Sequence, residues 1–232
     1  MFNNDSYIKG VFVEESKNRF LCIVLIENEL CECYVPSSSR IENYLKLKGR
    51  EVLLTANKGT NKRTKFSLFA VKYYNKYILI NLNMVDQIVE TMIIDNKIKK
   101  LSGTRLKREQ TIEGYKADIM IENHGNNKAT IIEVKGIISA FREARFPSVF
   151  SERAIVQLQK IKGLLQRGYK VVYLIVSLSP ILKKINIDSN FSQYHSLLLE
   201  CIELGMELRS FSVSFNEGRI EYKQKVSIIN LG

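Results

Sequence analysis

The chain has 232 residues, of which 45% are hydrophobic and 25% charged, enough for one large or two small soluble domains with real cores. It carries 35 Lys+Arg against 24 Asp+Glu, a formal charge of +11, which favours a polyanionic partner, nucleic acid or an anionic membrane, over a neutral metabolite. No stretch is long and apolar enough to span a bilayer, and MFNNDSYIKG lacks the basic-then-apolar order of a secretory signal, so a cytoplasmic chain is expected.

From residue 1 to 82 the chain reads as β-structure. Tyr7–Glu14, Arg19–Glu27, Glu29–Val35, Arg50–Ala56 and Lys65–Tyr74 are rich in β-branched and aromatic residues, and Glu27-Asn28-Glu29 is a tight hairpin signal. A short helix at Tyr44–Leu47 falls between the third and fourth strands. This order predicts a small OB-like barrel, with an SH3-like barrel as the competitor. Between Lys46 and Lys65 lie Lys46, Lys48, Arg50, Lys58, Lys62, Arg63 and Lys65 against one acid, Glu51. Such a cluster on a small barrel suits a phosphate backbone. Tyr34, Phe66, Phe69, Tyr73 and Tyr74 are near in sequence; most belong to the core, and some are candidates for base stacking.

From residue 83 the period changes. Met84, Val85, Ile88, Val89, Met92 and Ile93 form an apolar helical face after Asn83 as N-cap, leaving Asp86, Gln87 and Glu90 on the other side. A basic stretch follows, with Lys107 and Arg108 at its end. It leads into strands at Leu106–Gln110, Ala117–Glu122 and Thr130–Lys135, the last two joined by the turn-rich segment 123–128 that contains His124. A second helix opens at Ser151-Glu152-Arg153 and stops at Gly168. A buried strand at Tyr169–Val176, a third helix around Tyr194–Leu204, and strands at Glu207–Phe215 and Ile220–Ile229 complete the chain. There is no internal repeat or low-complexity linker, so the two domains, 1–82 and 83–232, are expected to pack closely.

The chemistry points to Asp118, Glu133 and Lys135. Asp118 lies on the strand antiparallel to the one carrying Glu133, and Glu133 and Lys135, two apart, project from one face opposite Ile132 and Val134. Two carboxylates and an ammonium brought to one point suit Mg2+ or Mn2+ and phosphodiester hydrolysis. The amine would position water or stabilise developing charge. The cysteines, Cys22, Cys31, Cys33 and Cys201, match no zinc spacing, and two histidines exclude a histidine-rich metal site.

The order αβββαβ with Asp118…Glu133-Val134-Lys135 resembles the PD-(D/E)XK nuclease superfamily. More narrowly, the chain resembles the sugar fermentation stimulation protein A (SfsA) family. The matching stretches are Asn18-Arg19-Phe20-Leu21, 61–65, Leu106-Lys107-Arg108-Glu109, Ala117-Asp118, Ile132-Glu133-Val134-Lys135, Phe146-Pro147 and Ser151-Glu152-Arg153. The resemblance implies an N-terminal OB-like nucleic-acid-binding domain and a C-terminal restriction-endonuclease-like domain, in an α+β arrangement. It implies Asp118, Glu133 and Lys135 as the core triad, with Asp118 and Glu133 as metal ligands. Glu90 is the candidate helix acid, and Glu109 the alternative. It also implies DNA, double- or single-stranded, as partner; the basic residues Arg19, Lys46, Lys48, Lys58, Lys62, Arg63, Lys65, Lys107 and Arg108 are the candidate contacts.

Three departures stand out. Val35-Pro36-Ser37-Ser38-Ser39 replaces the family's Cys-Pro-Asn-Thr-Gly, Glu152-Arg153-Ala154-Ile155-Val156-Gln157 replaces Glu-Arg-Gly-Gln-Lys-His, and Lys116-Ala117-Asp118 replaces Arg-Ile-Asp. Glu152 and Arg153 are either a helix-start pair in solvent or pocket residues. Functions compatible with all this are a metal-dependent DNA nuclease, a non-catalytic DNA-binding protein such as a regulator of sugar-utilisation genes, and an RNA or single-strand binding module.

Overall fold

The computed structural model describes residues 7–37, 40–57, 63–99, 101, 105–122 and 128–231. The first half is a barrel. Strands β1 (Ile8–Glu15), β2 (Leu21–Ile26) and β3 (Glu29–Tyr34) form an antiparallel meander, and β4 (Glu51–Ala56) and β5 (Phe66–Tyr73) follow. Strand β1 pairs with β4, β4 with β5, and β3 runs parallel to β5 at Cys33–Phe66 and Tyr34–Ser67, which closes five strands into an OB fold and sets the SH3-like alternative aside. Closure needs Gly10: a Cβ there would sit 2.5 Å from Val24 Cγ1 and 2.9 Å from the Leu25 carbonyl oxygen. The helical turn between β3 and β4 is a 3-10 turn at Ile41–Asn43, slightly earlier than the sequence suggests. Ile41, Leu45 and Leu47 from this connection plug the barrel core with Phe12, Val24, Leu54 and Leu68.

Strand β6 (Lys76–Leu79) extends the barrel from β5, and a 3-10 turn (Leu82–Met84) leads into α1 (Val85–Ile94). Asn83 is not the cap: Asn81 caps the 3-10 turn, its side chain accepting the Asn83 N–H, and α1 continues from Met84 without a side-chain cap. Next come β7 (Arg105–Ile112), β8 (Tyr115–Glu122), β9 (Thr130–Ile137) and β10 (Glu143–Phe146). Helix α2 (Glu152–Gln166) begins at Ser151, whose hydroxyl accepts the Ala154 N–H at 3.2 Å, and ends before Gly168 at φ +80°. Strands β11 (Lys170–Ser177) and β12 (Lys184–Ile187), helix α3 (Ser192–Glu203), and strands β13 (Glu207–Asn216), β14 (Arg219–Lys225) and β15 (Ser227–Ile229) follow.

The main sheet has the order β14-β13-β11-β9-β8-β7. Its centre is β11, parallel to both β9 and β13 and buried along most of its length. Helices α2 and α3 cover one face, where Leu158, Ile161, Leu198 and Cys201 meet Tyr173 and Ile175. On the other face α1 packs together with Leu53, Phe69 and Leu79 of the barrel, so a single core joins the two domains. Tyr7, Phe69 and Tyr77 gather around Phe215 at that junction, and Leu79 donates its N–H to the Leu178 carbonyl at 3.0 Å. Each fully buried aliphatic side chain in these clusters contributes about 1.5–3 kcal/mol. Among the described residues no helix is long and apolar enough to cross a membrane.

The β7–β8 ribbon changes sides. Leu106, Ile119 and Ile121 pack with α1, whereas Ile112, Tyr115 and Ala117 pack with α2. Strict alternation would keep each set on one face. The turnover falls at Glu109, whose φ is +52°, and at Asp118, its opposite number in the register that pairs Arg108 with Ile119 and Gln110 with Ala117. A left-handed glutamate is a sparsely populated conformation, held here by the ladder on either side of it.

Candidate metal and phosphodiester site

Strands β8 and β9 pair only where Ile119–Ile121 face Thr130–Ile132. Beyond that point they part, and Asp118 stands at the fork. Its Oδ2 accepts the Val134 N–H at 2.8 Å, so a side chain replaces a strand carbonyl as the partner of β9. Glu133 and Lys135 leave β9 on the face opposite Ile132 and Val134, as the two-residue period requires. Glu133 is fully buried: the Tyr115 hydroxyl donates to its Oε2 and the Lys135 ammonium to its Oε1. Gln157 of α2 accepts a second hydrogen bond from Lys135 at 3.0 Å. Behind Glu133 lies its strand neighbour Tyr173, whose hydroxyl is 3.0 Å from that of Tyr194.

Burial, and then the charge of Glu133, push the Asp118 carboxyl up to about 6, although the Val134 N–H and the Lys135 ammonium pull the other way. Tyr115 is pushed well above the ordinary tyrosine range by burial and by Glu133, so it remains a hydrogen-bond donor. Two carboxylates held near enough to repel, Glu133 fully buried and Asp118 partly so, next to one amine, have the chemistry of a hard-cation site. Among the described residues no group of three or more His, Cys, Asp or Glu side chains converges. The protein therefore offers two carboxylates and leaves other positions to water and phosphate oxygens, a donor set that fits Mg2+ or Mn2+.

The helix acid nearest this pair is Asp86, which the sequence reading did not single out. Burial raises its carboxyl first, then the charge of Asp118, with Arg108 and Lys135 opposing. Gly136 permits this approach. A Cβ on it would lie 2.6 Å from Leu82 Cδ2 and 2.9 Å from Val85 Cγ2, so the first turn of α1 rests directly on β9. Glu90, one turn later, faces Arg108 instead, with Oε2 3.7 Å from Nη1. Glu109 is exposed and bonded to Lys116 at 2.6 Å. Glu152 and Arg153 are exposed in the first turn of α2 and make no ion pair among the described residues; Gln157, in the second turn of the same helix, is the α2 side chain that reaches the site.

The basic candidates divide. Arg19, Lys46, Lys48 and Lys65 are exposed on the barrel, with Arg19 over the Phe20 ring. Arg63 pairs with Glu32 at 3.2 Å, Lys107 with Glu122, and Arg108 is turned inward to α1. Lys58 and Lys62 lie outside the described residues, as does His124. Arg50 stacks on Tyr73 at 3.8 Å, and Tyr73 and Phe69 belong to the core, whereas Tyr34 and Tyr74 are exposed. The cysteines are free thiols; burial raises those of Cys22, Cys33 and Cys201.

Comparison with known proteins follows the same two-part division. Residues 15–80 match the family model described as the SfsA N-terminal OB domain, and residues 83–219 the one described as the sugar fermentation stimulation protein RE domain. A sugar fermentation stimulation protein homolog of Clostridium perfringens (strain SM101) is 28% identical over 95% of this chain and 96% of its own length. One from Methanobrevibacter smithii is 26% identical, covering 87% and 88%. The solved structure of Pyrococcus furiosus SfsA in complex with Ca2+ superposes with a TM-score of 0.81 at 20% identity, over 97% of this chain and 96% of that one.

Proposed function

The chain belongs to the sugar fermentation stimulation protein family, and from that premise we propose that it binds DNA and hydrolyses phosphodiester bonds with Mg2+ or Mn2+ held at Asp118 and Glu133. The observation that carries this reading is the convergence of those carboxylates beside Lys135, with the Asp118 carboxyl raised to about 6. A divalent cation relieves the repulsion that the fold has built. The Pyrococcus furiosus relative, solved in complex with Ca2+, supports a divalent ion for this fold.

Bound there, such a cation supplies a more acidic water and screens charge on the phosphoryl oxygens. The chain does the rest. Asp118 is kept in place by Val134 and loses its proton when the site fills. Tyr115 fixes the orientation of Glu133 from the buried side. Lys135, steadied by Gln157, presents an ammonium to the attacking water and to negative charge growing in the transition state. Exposed Arg19, Lys46, Lys48 and Lys65 supply phosphate contacts on the barrel.

One observation favours a second reading, DNA binding without cleavage in a regulator of sugar-utilisation genes. Glu133 has both oxygens engaged and no solvent exposure. Incubating the purified chain with supercoiled, linear, single-stranded and branched DNA, with and without Mg2+ or Mn2+, separates the two. Metal-stimulated cutting that Lys135→Ala removes supports hydrolysis. Salt-sensitive binding that persists in EDTA without any cutting supports the second reading.

A further inference from the structure

The turn that follows β9 carries an aromatic side chain for which the core has no use. Phe141 is 71% exposed, yet the turn is fixed: buried Ser139 accepts the Phe141 N–H on its Oγ at 3.0 Å. Next to it the chain enters the small parallel sheet β10-β12-β15, where the Arg142 carbonyl accepts the N–H groups of Lys183 at 2.7 Å and Lys184 at 3.0 Å. Arg142, Lys183 and Lys184, with Glu143, line an open cleft of about 480 Å³. Three cations face one acid there. Among the described residues the side chains of Arg142, Lys183 and Lys184 form no ion pair, and the Lys183 ammonium donates to the neutral Gln224. A surplus of unpaired cations next in the chain to a solvent-facing ring suits single-stranded nucleic acid, with phosphates in the groove and a base on the ring. An apolar sheet-edge contact would leave these three charges unneutralised.

We propose that Phe141, Arg142, Lys183 and Lys184 form a subsite for a single-stranded segment of the DNA, with one base stacked on Phe141 and its flanking phosphates in the cleft. The subsite rests on the DNA-binding reading above and names the form of DNA that it takes. Its position suits the site on β9. Phe141 is six residues beyond Lys135, at most about 20 Å of chain. A strand seated on Phe141 therefore reaches the carboxylates within a few nucleotides.

The test is fluorescence anisotropy of the full chain in EDTA with a labelled oligodeoxythymidylate, a hairpin duplex, and the oligouridylate of equal length. Base–aromatic stacking predicts that Phe141→Ala weakens single-strand binding about fivefold or more and leaves duplex binding within about twofold, with Phe141→Trp restoring it. Arg142→Ala lowers the slope of log affinity against log salt for the single strand by about 0.7. As Phe141 is exposed, an unchanged thermal melt accompanies both variants. Equal loss for duplex and single strand, no loss at all, tighter binding of the RNA, or a change only in oligomeric state overturns the subsite. The DNA-binding reading survives each of these, and falls only if the parent chain binds neither DNA.

Discussion

The Asp118 carboxylate accepts the Val134 N–H at 2.8 Å at the point where β8 and β9 cease to pair, so one residue both holds the fork together and faces the candidate metal position. These duties separate by substitution. Asp118→Asn keeps an oxygen for Val134 and removes the charge. It is expected to fold with unchanged or slightly higher stability and to lose metal-stimulated cleavage by more than about 100-fold. Asp118→Ala also orphans the N–H, at about 1–3 kcal/mol, which urea denaturation of the two variants resolves.

The raised Asp118 carboxyl sets a pH dependence. Its folded value, about 6, lies above that of an unfolded aspartate, so the folded state binds the extra proton. The stability from this group is complete below about pH 4 and is lost as pH rises through about 6. Asp86, also raised, acts in the same direction. Cation binding must displace the proton. The rise in melting temperature produced by Mn2+ should therefore be small at pH 5 and large at pH 7.5, and absent in Asp118→Asn. Differential scanning fluorimetry across pH reads this directly.

Gly136 lets α1 lie on β9. A methyl group at this position would lie 2.6 Å from Leu82 and 2.9 Å from Val85. Gly136→Ala is expected to cost about 1–3 kcal/mol by overpacking, seen as a lower urea midpoint. Because the displaced turn carries Asp86, Mn2+ affinity should fall as well.

Asp86 and Glu90 are one turn apart on α1; the charge of Asp118 helps to raise Asp86, whereas Glu90 pairs with Arg108. Asp86→Asn should weaken Mn2+ binding and cleavage. Glu90→Gln should affect neither, and cost less than about 1 kcal/mol for a half-exposed pair with Arg108. Parallel metal titrations of the two variants distinguish the acids.

The pair Asp86 and Glu90 also marks where sequence reasoning stops. Spacing places both on the polar side of one helix, and nothing in the period decides which turn meets the sheet. That depends on Gly136, a glycine inside a strand, whose meaning as a point of close approach was available but needs the partner helix to interpret. Glu133 and Lys135 were legible because a two-residue step in a strand fixes a face, and Asp118 because a short loop fixes an antiparallel neighbour. The turnover of the β7–β8 ribbon was not legible. Residues 115, 117, 119 and 121 alternate as one apolar face, and only the left-handed Glu109 shows that the face is divided. The barrel strands were visible in their β-branched runs, whereas β6, β10 and β12, four residues each, are too short to carry a period.

The basic surface shows a similar split. Arg63, Lys107 and Arg108 have acidic partners across strands or on α1, a neutralisation that depends on which distant residues the fold brings alongside. Arg142, Lys183 and Lys184, far apart in the chain and unremarkable there, become a group only through the parallel pairing of β10 with β12.

The most direct measurement is Mn2+ binding followed by electron paramagnetic resonance, paired with cleavage by the same samples. The parent chain should take up one ion at the pair of acids and cut DNA. Asp118→Asn should lose both properties, and Lys135→Ala should retain the ion but not the cutting. Uptake that is absent in the parent, or unaltered in Asp118→Asn, would contradict the assignment of Asp118 and Glu133 as the site of metal-dependent hydrolysis.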